Sequence, residues 1–259
     1  MVKPSIIAAE KLCWPSTDNP VVNDISIDIG GNEMLGIIGP NGAGKSSLVK
    51  LLAGVNQAAS GRVSLQGETI SSRGRKQWAK KIGYLAQQAP IAWPVTVERV
   101  VTLGRLPHQS IHSRLSAKDG QAIEWAMQAT DVLHLRHRPA NQLSGGEQMR
   151  VMLARLLAGE PAVILADEPV AALDPAHQLE VMRLLSEHAE LVGPVAVVLH
   201  DLNLALRYCQ RLALIVDGRL LMIGEAADVI VSEQLSKAYN LLITIEQTSV
   251  GDVVVCRQR

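Results

Sequence analysis

Residues 39–47 read GPNGAGKSS: three glycines, one lysine and two serines in nine positions. Gly39 to Ser46 fits the pattern GxxxxGK(S/T) without a mismatch. Gly39, Gly42 and Gly44 let backbone N–H groups converge on an anion, with Asn41 and Ser47 in the same cradle. A helix opening at Lys45 adds its positive end, and the Lys45 ammonium can reach the β- and γ-phosphates of a nucleotide. The Ser46 hydroxyl is placed to ligand Mg²⁺. The plain alternative is an ordinary strand-to-helix turn. Downstream, VILADEP at 163–169 ends an apolar run in two acids. Asp167 suits the water shell of Mg²⁺ at a strand end, and Glu168 suits a general base acting on the attacking water. Solvated acids at strand ends are common, so this pair gains its weight from the phosphate loop upstream.

A third stretch, QLSGGEQ at 142–148, places Ser144, Gly145 and Gly146 at the opening of a helix. That is a second anion-binding N-terminus. One chain then has two different phosphate cradles. The economical arrangement is two chains packed head to tail, each closing over the other's nucleotide.

The elements that must position these residues follow from hydropathy patterning. ISIDI at 25–29 alternates and reads as a half-exposed strand. EMLGII at 33–38, AVILADE at 162–168 and VAVVLHD at 195–201 are nearly continuous apolar runs, as in strands buried on both faces. KSSLVKLLAG has helical spacing and stops at Gly54. GRVSLQGETI at 61–70 and LALIVDGRLLMIG at 212–224 read as hairpins, the second about an Asp-Gly turn. The first third is mostly strands with one helix. From about Trp93 to residue 150 the periodicity is helical. Asp174 is the expected N-cap of a helix with Pro175 at its first position. Buried strands alternating with helices give an α/β fold with a mainly parallel sheet.

The chain has 259 residues, of which 47% are apolar, enough for a substantial core. Acids and bases balance at 25 each, which gives no hint of a nucleic-acid surface. Cys13, Cys209 and Cys256 form no CxxC pair and read as buried, reduced thiols of a cytosolic protein. No apolar run reaches the length of a membrane helix, and the N-terminus has no long apolar region of a signal peptide. His134 and His137 have i, i+3 spacing but no completing ligand nearby, so they read as solvated helix-face histidines. The basic RGRK at 73–76 reads as a solvated loop.

With the phosphate loop, LSGGE at 143–147 and the acidic strand in this order, the chain resembles the ATP-binding cassette (ABC) family over about residues 5–245. The resemblance implies one ABC ATPase domain over 1–259. It comprises a RecA-like core with an antiparallel β subdomain (about 1–92 and 160–245), a helical signature subdomain (about 93–159) and a C-terminal tail (246–259). It implies ATP and Mg²⁺ as ligands. It further implies that Gln87, in GYLAQQ, senses Mg²⁺ and γ-phosphate and that His200, in VVLHD, contacts the γ-phosphate. Asp174, in AALD, would cross a dimer interface, and Trp14 would stack on adenine. Ser47 stands where threonine is usual, and Val170 where threonine or serine is common. Neither removes a catalytic group, so an active ATPase is expected.

PVTVERVVTLGRLPH at 94–108 is similar to the ATPase subunits of importers for iron–siderophore, haem and cobalamin. In that branch two copies of the ATPase would drive two membrane permease subunits at the cytoplasmic face, served by a substrate-binding protein. Val97, Val100, Val101 and Leu103 share one side of the expected helix. Trp93, Arg105 and His108 are expected near the partner surface. Alternatives are an exporter subunit or a soluble cassette protein acting on ribosome or DNA. The latter usually carries two cassettes or coiled-coil insertions, and neither is present. A GTPase would need an NKxD-type motif, which is absent.

Overall fold

The computed structural model describes residues 5–15, 20–69, 74–87, 91–109, 114–171, 173–249 and 251–258. In chain order the elements begin β1 (Ser5–Trp14), β2 (Val22–Gly30), β3 (Met34–Ile38), α1 (Lys45–Leu52), β4 (Ser60–Leu65), β5 (Glu68–Thr69), α2 (Arg75–Lys81) and β6 (Ile82–Leu85). The middle of the chain forms α3 (Val97–Thr102), a 3₁₀ turn at Leu103–His108, α4 (Ala117–Ala129), α5 (Gly145–Ala158) and β7 (Val163–Asp167). It closes with α6 (Pro175–Leu191), β8 (Val195–Val198), α7 (Leu202–Tyr208), β9 (Arg211–Val216), β10 (Arg219–Glu225), α8 (Ala226–Ile230), α9 (Glu233–Tyr239), β11 (Leu241–Thr248) and β12 (Gly251–Gln258). The chain divides into two compact units, Met1–Ile70 with Leu185–Arg259, and Ser71–Leu184.

In the first unit, strands lie side by side in the order β10-β9-β3-β8. β3 runs parallel to both neighbours, with Ile37 opposite Val198 on β8 and opposite Ala213 on β9. All five residues of β3 and all four of β8 are buried, as continuous apolar runs require. A second, antiparallel sheet has the order β2-β1-β4-β5. β2 alternates buried and exposed positions, the expected half-exposed strand. Within the stretch expected as a C-terminal tail (246–259), β12 pairs antiparallel with β11, from Leu241–Gln258 to Thr248–Gly251.

In the second unit β6 runs parallel to β7, with Leu85 opposite Ala166. The helices α3, α4 and α5 share a core of Val97, Val100, Val101, Ile123, Met127, Val151 and Leu153. α3 starts at Thr96, whose hydroxyl accepts from the Arg99 N–H. The stripe expected on α3 is shorter than anticipated: Leu103 is exposed, because the chain tightens into the 3₁₀ turn there. A further departure is α2, where only loop was expected; of RGRK, Arg73 lies outside the described residues.

Arg105 is the charged centre of this unit. It is buried at 3% exposure, and its guanidinium donates to Asp119 at 2.7 Å, Glu160 at 2.7 Å and the Ala158 carbonyl at 2.9 Å. This corrects its expected place at a partner surface. Hydrogen bonds from Ser116, with Arg105 beside it, lower the Asp119 pKa from 3.8 to about 2. A depressed acid pKa stabilises the fold above 3.8, and that contribution is lost as pH falls through about 2. Arg105→Met should therefore cost about 1–3 kcal/mol in urea unfolding at neutral pH, since it removes the charge-assisted bond to Asp119 while the bonds from Ser116 remain. The gap from the parent should narrow on acidification below the ordinary carboxylate pKa.

Candidate functional site

The first unit presents the glycine-rich loop at 39–47 and His200 from one end of its parallel strands. β3 and β8 are parallel neighbours, so the turn after Ile38 and the turn after Val198 leave the sheet at the same end. The Leu199 N–H bonds to the Ile37 carbonyl at 3.2 Å and ties the two turns together. His200 follows and is exposed. Asp201 then caps α7, accepting from the N–H groups of Asn203 and Leu204 at 2.7 and 3.1 Å.

The loop itself is closely wrapped. Gly39 has φ 147°, and a β-carbon there would lie 2.0 Å from the Ile215 carbonyl oxygen, so no side chain fits. Gly44, at φ 96°, stands before α1 with no side chain capping it. A β-carbon on Gly42 would meet nothing within 4 Å, and Asn41 is exposed, so the loop's outer face is open. The Lys45 ammonium folds back on the loop, donating to the carbonyls of Gly39 and Pro40 at 2.8 Å each. It is 5% exposed. Ser46 and Ser47 follow on the first turn of α1, both half-buried. Trp14 is half-buried at the end of β1, opposite Val22.

The second unit presents the acids. β6 and β7 are parallel, so Gln87 and the pair Asp167–Glu168 leave one end together. The Gln87 amide donates to the Glu168 carboxylate at 2.5 Å. Asp167 is 1% exposed. Tyr84, on β6, has its phenol pKa pushed up to about 12, first by burial and then by the Asp167 charge. Glu168 has φ 51°, a left-handed conformation that non-glycine residues rarely adopt and that tends to cluster at working sites.

The same unit carries the SGG turn. Ser144 and Glu147 form a capping box: the serine hydroxyl accepts from the Glu147 N–H at 3.3 Å, and the Glu147 carboxylate accepts from the Ser144 N–H at 2.8 Å. These bonds hold the Glu147 pKa below its ordinary value. Gly145 is exposed, and a β-carbon on it would meet nothing within 4 Å. Asp174 caps α6 through the His177 N–H at 3.1 Å and also bonds the His177 ring at 2.6 Å. The His177 ring is the main cause of a lowered Asp174 pKa.

Some features carry little local signal in the sequence. His177 as the partner of Asp174 is one; its i+3 spacing was the available signal. Another is a cavity of about 320 Å³ lined by Tyr84, Leu103, Gly104, Pro107, Arg155 and Pro161, among others. Trp93 is 76% exposed, and the exposed His108 bonds the Gly159 carbonyl at 2.8 Å. Of the three cysteines only Cys209 is buried; Cys256 is exposed, which corrects the expectation for all three. His134 lies in a 3₁₀ turn at Leu133–Leu135 and not on an α-helix face. Among the described residues no cluster of three metal-ligating acids, histidines or cysteines occurs.

A glycine-rich turn between a buried strand and a helix, with an acidic strand end, defines a P-loop nucleoside triphosphatase. The comparisons narrow that class. The family described as ABC transporter matches residues 22–171. The ferric enterobactin transport ATP-binding protein FepC of Escherichia coli (strain K12) is 38% identical over 222 residues, 85% of this chain and 82% of that protein. The hemin import ATP-binding protein HmuV of Pseudomonas aeruginosa is 40% identical over 252 residues, 93% of this chain and 95% of that protein. A crystal structure of a nucleotide-free ATP-binding cassette from an ABC transporter shares the fold, with a TM-score of 0.81 over 91% of this chain and 99% of that chain at 22% identity. The chain belongs to the ABC transporter family and is its ATP-hydrolysing cassette.

The capping box at the head of α5 is open to test by substitution. Glu147→Ala should lower the unfolding free energy by about 1 kcal/mol, read from a denaturant midpoint. Glu147→Gln, which keeps an acceptor, should recover most of it.

Proposed function

We propose that this cassette is the energy-coupling ATPase of an importer that carries a metal chelate of the iron–siderophore, haem or cobalamin kind. Two copies pack head to tail around two ATP molecules. The observation that carries the dimer is the exposed, glycine-opened N-terminus of α5: an anion cradle with its own capping box, on a chain that already has a phosphate loop. Ser144, Gly145 and Gly146 of one copy close over the triphosphate held by the other, and Asp174 lies along the seam. The cargo class rests on the similarity to FepC and HmuV.

Within a site, the residues take distinct tasks. Lys45 leaves its carbonyls and grips the β- and γ-phosphates, while the N–H groups from Gly42 to Ser47 surround them. Trp14 stacks on adenine. Glu168 accepts the proton of the attacking water, with Gln87 orienting its carboxylate, and His200 donates to the γ-phosphate. The donors Ser46 hydroxyl, Asp167 carboxylate and Gln87 amide are hard oxygens of the kind Mg²⁺ prefers. The buried Asp167 charge felt at Tyr84 favours a cation beside it. Mg²⁺ held there would neutralise phosphate charge as the bond to the leaving group breaks.

Among the described residues no helix is long and apolar enough to cross a membrane. We place the cassette at the cytoplasmic face of the inner membrane, bound to two permease subunits. The exposed Trp93, Leu103 and Leu106, with the cavity that Leu103 lines together with Tyr84 and Pro107, form the docking face. ATP acts as a ligand of much higher affinity for the closed dimer, so its binding drives the permease and hydrolysis resets it.

Glu168→Gln should keep ATP binding, lose turnover and sediment as an ATP-dependent dimer. A monomer under those conditions would contradict the sandwich. Lys45→Ala should lose ATP affinity by at least roughly a hundredfold, the loss of a buried charge-assisted contact. Retained affinity would remove the phosphate role.

A further inference from the structure

The C-terminal module α8–α9–β11–β12 lies beyond the stretch that matches the family, residues 22–171. Yet it reaches the phosphate loop. The hydroxyl of Tyr239, the last residue of α9, accepts the Gly39 N–H at 3.0 Å. Gly39 is buried, and its N–H follows the end of β3. The other side of the same residue is fixed twice more. Its carbonyl accepts from Lys45, and the Ile215 carbonyl fills the place a side chain would take. Tyr239 is thus one of three contacts that set the first residue of the cradle.

The module that delivers Tyr239 is itself well anchored. Ser232 caps α9 through the Leu235 N–H at 3.1 Å, and Leu235, Val229 and Ile230 are fully buried. Asn240, at φ 54°, ends the helix and turns the chain into β11. The hairpin is tied to α7 by the Val254 N–H, which donates to the Asn203 side chain at 2.7 Å. Asn203 sits three residues after His200. Burial raises the Tyr239 pKa, so the phenol stays neutral.

We propose that Tyr239 is a positioning residue of the ATP site, holding the Gly39 peptide so that the loop keeps its phosphate-ready shape before nucleotide arrives. Without the hydroxyl, the buried Gly39 N–H has lost its acceptor, and the turn must twist to find another. A twisted turn displaces the carbonyls on which Lys45 is stored and the N–H groups that follow. The contact acts on the shape of the loop before nucleotide binds, so its loss is expected to fall on nucleotide affinity more than on the chemical step. The proposal rests on residues 39–47 being the phosphate cradle.

The test is Tyr239→Phe in the full chain, with steady-state ATPase kinetics in MgATP. KM should rise about fivefold, the scale of one hydrogen bond, with kcat within a factor of about two of the parent, too small a change for a lost transition-state contact. A purely structural role would lower the folded fraction and read as reduced kcat at unchanged KM, which overturns the proposal. Unchanged kcat and unchanged KM overturn it as well. Lys45→Ala separates the two levels: retained ATP binding in that variant removes the cradle reading itself. Lost binding there, with a parent-like Tyr239→Phe, removes only the role of Tyr239.

Discussion

A buried ammonium dictates much of the first unit. Lys45 is almost wholly enclosed, and a charge in that position must be answered by nearby dipoles. Two backbone carbonyls, from Gly39 and Pro40, supply part of the answer. For those carbonyls to point inward the chain must reverse within a few residues of β3, which requires φ values that only glycine takes at little cost. The reversal in turn needs a rigid strand behind it, and β3, buried along its whole length between β8 and β9, supplies that. A triphosphate offers the same ammonium charged acceptors that are stronger than these carbonyls.

The rest of the machinery repeats this economy. Helix starts and strand ends do the positioning, and short polar contacts trim it. Ser144 and Glu147 square off the head of α5, Asp174 the head of α6 and Asp201 the head of α7. In each case a residue beside a proposed nucleotide contact is held by its own helix. Parallel pairing does the same on a larger scale, bringing Gln87 to Glu168 in one unit and the His200 turn to the phosphate loop in the other. Apolar strands make these edges stiff, so small shifts at a nucleotide can be passed on without being absorbed.

Much of this was legible in the sequence because its signals are local. EMLGII, AVILADE and VAVVLHD announce β3, β7 and β8 by continuous hydropathy, and Asp-Gly marks the β9–β10 turn. The helix caps at Asp174 and Ser144 are set by residues within three positions. What the sequence hid is long-range. Arg105 looks like a surface cation until its partners Asp119 and Glu160, 14 and 55 positions away, are brought to it. Tyr239 is 200 positions from Gly39. The second strand of the β11–β12 hairpin is largely exposed, so residues 246–259 carry only the weak pattern of a tail. Gln87 and His200 drew attention by family resemblance alone, as a lone glutamine after a strand carries no physical signal of its own.

The central claim is that the phosphate loop of one copy is closed by the α5 N-terminus of another. Two chains would be prepared with the three native cysteines replaced, one carrying Asn41→Cys and the other Gly145→Cys, both exposed positions. Mixed and oxidised, they should give a cross-linked dimer only when both are present and only with ATP. Cross-linking of either chain alone, or cross-linking indifferent to ATP, would contradict the account.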